Sequence, residues 1–194
     1  MKLDITDDIT ENTEAMFRHI FDVSVRELGI ADAMAKVVLR FQTGELAKAL
    51  LGGALGAPPG PLVGGAVRVD GARDVIPMTL SIMPITNMIA AMCHEMVHVR
   101  QIVRGEIAVA DGKHYYHGVE QAEYLNDPAE IEADSIAESL VERVMAEMPA
   151  DLMNGITHDR ITWVFQMLGL KVGTARVVVE AQPSLLGKIS ALLN

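Results

Sequence analysis

The sequence predicts an α+β fold, because apolar residues recur at helical spacing near the start, alternate as in strands in the middle, and return to helical spacing afterwards. The chain has 194 residues, of which 50% are apolar, so we take residues 1–194 as a single domain with one core. Its net charge of −10 repels phosphate backbones, so we expect no nucleic-acid partner.

The cysteine content and the N-terminal residues indicate in which cellular compartment the protein is expected. The single cysteine, Cys93, allows neither an internal disulfide nor a cysteine-rich zinc ribbon. The first residues lack the charged and apolar regions of a signal peptide. The uncharged runs 49–67 and 75–93 are interrupted by proline and by glycine or polar residues, so neither predicts a transmembrane helix. We therefore expect a cytoplasmic protein with no membrane partner.

The first secondary-structure elements are predicted from the spacing of apolar residues and from the glycines and prolines that interrupt it. A helix is predicted over 10–28, where apolar residues recur at helical spacing, and Gly29 ends it. A strand is predicted over 37–41 from alternating residues, although a continued helix fits the same stretch. The glycines and prolines of 51–61 predict a long loop.

Two strands are predicted over 66–70 and 75–82, on either side of a turn. Pro77 interrupts the second strand and has no N–H to donate to a ladder, so we expect this strand at the edge of the sheet. The remaining segments with helical spacing predict helices over 85–104, 128–147, 157–169 and 184–193.

The segment from His94 to His98 contains the motif H-E-x-x-H. Residues four apart on a helix differ by about 40° in direction, so both imidazoles point the same way and can bind one Zn²⁺. Glu95 lies about 100° round the helix from His94, which suits a general base acting on a metal-bound water. An apolar stripe on the opposite face is expected to hold the helix in the core; it consists of Ile85, Ile89, Met92, Met96, Val99 and Val103.

Catalytic zinc sites have three protein ligands, so a third ligand is expected beyond the motif. The metzincin solution is excluded because Arg104 stands where that class has histidine. On the helical wheel of 128–147, Glu130 and Asp134 lie on the apolar face, whereas Glu132 faces water. Buried carboxylates are costly unless they are paired or bind a metal. We therefore predict Glu130 as the third ligand and Asp134 as the partner of a ligand histidine.

An alternative interpretation of Glu130 needs no metal. Asp127 as the N-cap, Pro128 at the first helical position and Glu130 at the third match a capping box. That pattern leaves Asp134 on the same face unexplained, which favours the metal-ligand interpretation.

The pairing of H-E-x-x-H with a later E-x-x-x-D resembles the gluzincin metallopeptidases, in which the first Glu of the second motif completes the zinc site. The strings H-E-M-V-H-V-R-Q and Y-L-N-D-P-A-E-I-E-A also resemble small one-domain metallopeptidase-like proteins of bacteria and phages, over roughly residues 65–140. In that pattern the Glu two positions after the proline binds zinc, which corresponds to Glu130. The usual aromatic after the proline is replaced by Ala129.

This resemblance implies a minimal zincin core at about residues 65–148. Such a core has a small mixed or antiparallel sheet, an edge strand over the active-site helix, and a helical C-terminal half. The strand at 75–82 fits the edge position, where an extended peptide would bind by strand addition. The Gly- and Pro-rich loop of 51–65 is a candidate movable cover, with a plain surface connection as the alternative.

A donor that stabilises charge on a substrate carbonyl is expected between the two zinc helices. We predict it among Tyr115, Tyr116, His117 and Tyr124, with an ordinary aromatic strand as the alternative. On a strand, Tyr115 and His117 would share one face and Tyr116 would lie on the other.

Together these features predict a zinc metallopeptidase with one Zn²⁺ per chain on His94, His98 and Glu130, and Glu95 as general base. Its substrate would be a peptide or protein. The alternative is a zincin-fold structural or regulatory binding protein, such as a virion component, with little or no general proteolytic activity. A DNA-repair metalloprotease is disfavoured by the charge and by the lack of a cysteine ribbon. The sequence leaves cleavage specificity and oligomeric state open.

Overall fold

A computed structural model describes residues 1–7, 9–42, 65–67, 74–81, 85–110, 113–121 and 127–152. These residues form a mixture of helices and two small sheets, consistent with the predicted α+β class. In chain order the elements are β1 (Lys2–Ile5), α1 (Glu11–Glu27), β2 (Lys36–Gln42), β3 (Gly65–Val67), β4 (Val75–Ser81), α2 (Ile85–Arg104), β5 (Ile107–Ala110), β6 (Lys113–Tyr116), β7 (Val119–Gln121) and α3 (Pro128–Glu147).

The larger sheet has the strand order β1-β2-β4-β3. β2 runs parallel to both β1 and β4, and β3 runs antiparallel to β4, so the sheet is mixed. Alternate side chains of the two central strands are buried, as the two-residue period of a strand requires. These core residues are Val37, Leu39, Ile76, Met78 and Leu80.

β4 lies inside this sheet, so the prediction that strand 75–82 forms an edge is wrong. The prediction depended on Pro77, which cannot donate to a ladder. Pro77 is in register with Val38 of β2, and the described residues of β3 pair only with β4 from Met78 onward. A proline is tolerated here because it lies just beyond that second ladder. The edge strand on this side of the described sheet is β3.

Three predicted helices are confirmed to within two residues, namely 10–28, 85–104 and 128–147. α1 begins after Thr10, whose hydroxyl accepts a hydrogen bond from the backbone N–H of Thr13. It ends before Gly29, whose φ of 64° is a conformation that favours glycine. The strand over 37–41 is confirmed as part of β2, so the rival helix is wrong.

The short strands β1, β5 and β7 have no predicted counterpart, whereas β6 corresponds to the aromatic strand considered as an alternative for Tyr115 and Tyr116. They contain three or four residues each, too few to produce a clear periodic pattern. β5, β6 and β7 form an antiparallel sheet between α2 and α3 in the sequence. His117 lies in the turn after β6 with a φ of 48°, so the expected strand face shared with Tyr115 is wrong.

Several predictions concern residues outside the described ranges. These are the loop of 51–61, the proposed cover of 51–65 except for Gly65, strand residues 68–70, Ile82, and the helices over 157–169 and 184–193. In the described part of the chain, no helix combines the length and apolar character needed to cross a lipid bilayer.

Four of the six residues of the predicted apolar stripe of α2 are buried in the core; Val103 is partly buried, and the side chain of Ile85 lies outside the described part of the structure. Ile89, Met92, Met96 and Val99 have no exposed surface, and neither has Cys93. Burial raises the pKa of the Cys93 thiol to about 12. α2 packs against α1, α3, β3 and β4, so it lies between the larger sheet and α3. Side chains on the face of α2 that is turned away from these contacts are therefore held on a helix that packing fixes in place.

We expect the substitution Met92→Ala to lower the free energy of unfolding by about 2–5 kcal/mol, because it removes buried atoms and leaves a cavity. Chemical denaturation followed by circular dichroism measures the change. Met34→Ala is the control, since that side chain is 95% exposed, and its effect should stay below about 0.5 kcal/mol. Equal effects of the two substitutions would contradict the burial of α2.

Candidate metal centre

Three side chains from α2 and α3 meet in one cluster. His94 and His98 lie one turn apart on α2, and their Nε2 atoms are 3.1 Å apart. Glu130 approaches both rings, with Oε2 3.2 Å from Nε2 of His94 and Oε1 3.3 Å from Nε2 of His98. Two ligand atoms bound to one ion at about 2.0–2.1 Å with tetrahedral angles lie about 3.3 Å apart. The cluster can therefore hold a metal ion.

Each histidine also has an acceptor at its other ring nitrogen. Oδ1 of Asp134 lies 3.0 Å from Nδ1 of His94, and Oε1 of Gln101 lies 2.7 Å from Nδ1 of His98. Because both partners accept, each Nδ1 carries a hydrogen, and in the neutral ring each Nε2 keeps its lone pair. A protonated Nε2 can donate to the Glu130 carboxylate, as the contacts of 3.2 and 3.3 Å allow. With a cation in place of that proton, both Nε2 lone pairs would point at the cation, which is the state in which imidazole binds a metal.

The electrostatics of the cluster favour a charged carboxylate. Hydrogen bonds with His94 and His98 hold the pKa of Glu130 down to about 2. The contact with Glu130 in turn raises the pKa of His94, against the effect of burial. For His98, burial lowers the pKa, but Glu130 and Gln101 outweigh it and the net shift is upward. Glu130 thus supplies negative charge where a cation would sit.

Glu95 lies beside this cluster on α2 and is only 5% exposed. Burial raises the pKa of its carboxyl group, while the nearby imidazoles and the backbone N–H of Val67 act in the opposite direction. The hydrogen bond from Val67 connects Glu95 to the edge strand β3. A buried carboxyl with a raised pKa is a suitable group to accept and return a proton.

α3 is rotated about its axis relative to the helical-wheel prediction. Its fully buried side chains are Ala129, Ala133, Ala137, Leu140 and Val144. Their mean direction lies about 60° from Glu130, so Glu130 flanks the buried face instead of occupying its centre. Asp134 is farther round, and 78% of its side chain is exposed. The prediction that Asp134 is buried is therefore wrong, although it does contact His94.

Glu132 is only partly exposed and is held by protein partners, whereas the prediction left it facing water. Its Oε2 accepts hydrogen bonds from Gln101 Nε2 at 2.7 Å and from Tyr116 Oη at 2.8 Å, and it pairs with Arg100 Nη2 at 2.7 Å. Burial alone would raise its pKa, but these three partners hold the pKa of Glu132 down to about 2. The signal that could have revealed this network is polar Arg100 and Gln101 on a largely buried helix, since buried polar groups need partners.

The residues predicted to include a donor to the substrate carbonyl differ in their burial and in their contacts. The hydroxyl of Tyr116 donates to Glu132, so its proton is already engaged by that carboxylate. Tyr115 is half-buried on β6, and His117 lies in an exposed turn with its ring centroid 4.3 Å from that of Tyr116. Tyr124 lies outside the described residues. The donor to a substrate carbonyl stays a prediction without an assigned residue.

The start of α3 tests the capping-box alternative. Asp127 is the N-cap, and its Oδ1 accepts a hydrogen bond of 2.8 Å from the backbone N–H of Ala129. A capping box also requires Glu130 to return to the N-cap backbone. Instead, the two carboxylate oxygens of Glu130 contact His94 and His98. The Asp127 N-cap is therefore present, but the side chain of Glu130 contacts the two histidines and does not complete a capping box.

Comparison of the chain with known protein families, curated proteins and solved structures found no match. The resemblance to gluzincins accordingly stays a hypothesis based on the two motifs.

Proposed function

We propose that the protein is a zinc-dependent metallopeptidase of the gluzincin type. The observation that carries the proposal is the cluster of His94, His98 and Glu130 beside the buried carboxyl of Glu95. Two imidazoles and one carboxylate form a donor set used by catalytic zinc, which keeps a further position for water or substrate. Magnesium and calcium prefer oxygen ligands, so an imidazole-rich set favours zinc among the common cations.

When bound, zinc supplies Lewis acidity that lowers the pKa of water and polarises a scissile carbonyl. His94 and His98 would hold the ion through Nε2, and Glu130 would hold it through its carboxylate. Glu95 would take a proton from water and donate it to the leaving amine. Its raised pKa brings the carboxyl closer to the range in which it can do both.

β3 is the strand of the described sheet that borders this site, because the N–H of Val67 reaches Glu95. It is also the outer strand on that side of the sheet. We propose that an extended peptide adds, through main-chain hydrogen bonds, to the edge of β3 that faces away from β4 and has no partner strand among the described residues. In a zincin-like core, β3 would take the edge position that the sequence assigned to residues 75–82.

The proposal predicts that removal of the metal abolishes peptide cleavage. Wild-type protein is incubated with a mixture of peptides, and the products are identified by mass spectrometry. A zinc chelator should stop cleavage, and one equivalent of zinc should restore it, because neither the histidines nor Glu95 can polarise the carbonyl alone. Cleavage that persists without metal would contradict the proposal. Zinc binding without cleavage of any peptide would favour the zincin-fold binding protein instead.

A further inference from the structure

A chain of hydrogen bonds runs from the smaller sheet to one histidine of the metal centre. Tyr116 of β6 donates to Oε2 of Glu132, and Nε2 of Gln101 donates to the same oxygen at 2.7 Å. Oε1 of Gln101 then faces Nδ1 of His98 at 2.7 Å. Gln101 has no exposed surface, so its contacts are with protein groups and not with bulk water.

The orientation of the Gln101 amide is fixed by two acceptors. Its Nε2 lies 3.1 Å from the carbonyl oxygen of Ala129 and 2.7 Å from Oε2 of Glu132. Neither the carbonyl nor the carboxylate can donate, so a flipped amide would place Oε1 against two acceptors. Oε1 must therefore face His98, and Nδ1 of His98 must carry the hydrogen.

Charge, as well as hydrogen bonds, holds Glu132 in the position where it accepts from the Gln101 amide. Nη2 of Arg100 lies 2.7 Å from Oε2 of Glu132, and the Arg100 side chain is only 10% exposed. Arg100 also pairs with Glu106 at 3.3 Å. Oε2 of Glu132 thus receives contacts from Arg100, Gln101 and Tyr116, which keeps it in place as the acceptor for the Gln101 amide.

We propose that Gln101 is a positioning residue: with Glu132 behind it, Gln101 holds His98 in the tautomer whose Nε2 lone pair faces His94 and Glu130. The inference rests on the proposed metal centre and adds how one of its ligands is prepared. His94 differs, because its partner Asp134 is 78% exposed and water can replace it. The two histidines should therefore depend unequally on their partners.

Zinc affinity of the full chain, measured by competition with a fluorescent chelator, tests this inequality. Gln101→Met keeps the length of the side chain and removes its acceptor, so the zinc Kd should rise about 10–100-fold. Asp134→Ala removes an exposed partner and should raise the Kd by less than about fivefold. Val99→Ala, at a buried site on the same helix, should lower stability and leave the zinc Kd unchanged.

NMR of the ¹⁵N-labelled histidine rings reads the tautomer without any metal. In mildly alkaline buffer the wild type should show an Nδ1–H proton of His98 that exchanges slowly, and Gln101→Met should lose it. An Nε2–H signal for His98 in the wild type would mean that Gln101 does not set this tautomer.

A wild-type Kd together with a wild-type His98 signal in Gln101→Met would overturn the inference. If that variant does not fold, the wild-type ring spectrum decides: an Nδ1–H signal for His98 supports the positioning role, and an Nε2–H signal overturns it. Failure of the wild type to bind zinc would overturn the proposed function instead, while the ring spectra would still test Gln101.

Discussion

Glu95→Gln is expected to reduce peptide hydrolysis by about 10²–10⁴-fold while leaving zinc content at the wild-type level. The amide has nearly the same shape and can still accept the hydrogen bond from Val67, but it cannot take and return a proton. The readout is kcat/KM on a peptide that the wild type cleaves, together with the zinc content of the same sample.

The matched control is Glu14→Gln, which neutralises an exposed carboxylate that pairs with Arg18 on α1. It should leave both kcat/KM and zinc content unchanged. Equal rates for wild type and Glu95→Gln would contradict the role of Glu95 as general base and would favour the binding-protein alternative.

His94→Ala should remove zinc from the protein. The wild type purified without chelator is expected to contain about one zinc per chain, and the variant almost none. Loss of one of three protein ligands should weaken binding by more than the 10–100-fold that follows loss of an outer partner. Metal analysis of the two purified proteins measures the difference.

His114→Ala is the control for this loss, because His114 is an exposed histidine on β6 outside the cluster. It should retain about one zinc per chain, as the wild type does. Full zinc occupancy in His94→Ala would refute the assignment of the metal ligands.

The parts of the site that could be predicted from the sequence depend on the geometry of single helices. His94 and His98 share a direction because they lie four residues apart on one helix, and the structure places their Nε2 atoms 3.1 Å apart. Glu130 is predicted from its place on the apolar side of the next helix and from the resemblance to the gluzincin pattern, and the structure brings it to both rings. Short local patterns were sufficient for these three residues.

The parts that could not be predicted depend on contacts between elements. Pro77 indicates only that one N–H is missing, and whether β4 lies at an edge depends on where β3 pairs. A helical wheel describes one helix, so it could not show that Tyr116 and Arg100 cover Glu132 from other elements. For the same reason, the wheel placed Asp134 on a buried face that the packing of α3 turns toward solvent.

The most direct test of a zinc centre on α2 and α3 is anomalous X-ray diffraction at the zinc absorption edge from crystals of the zinc-loaded protein. The account predicts one anomalous peak per chain, about 2.0–2.2 Å from Nε2 of His94, Nε2 of His98 and a carboxylate oxygen of Glu130. A zinc peak bound by other residues, or no peak between these three side chains in zinc-loaded crystals, would contradict it.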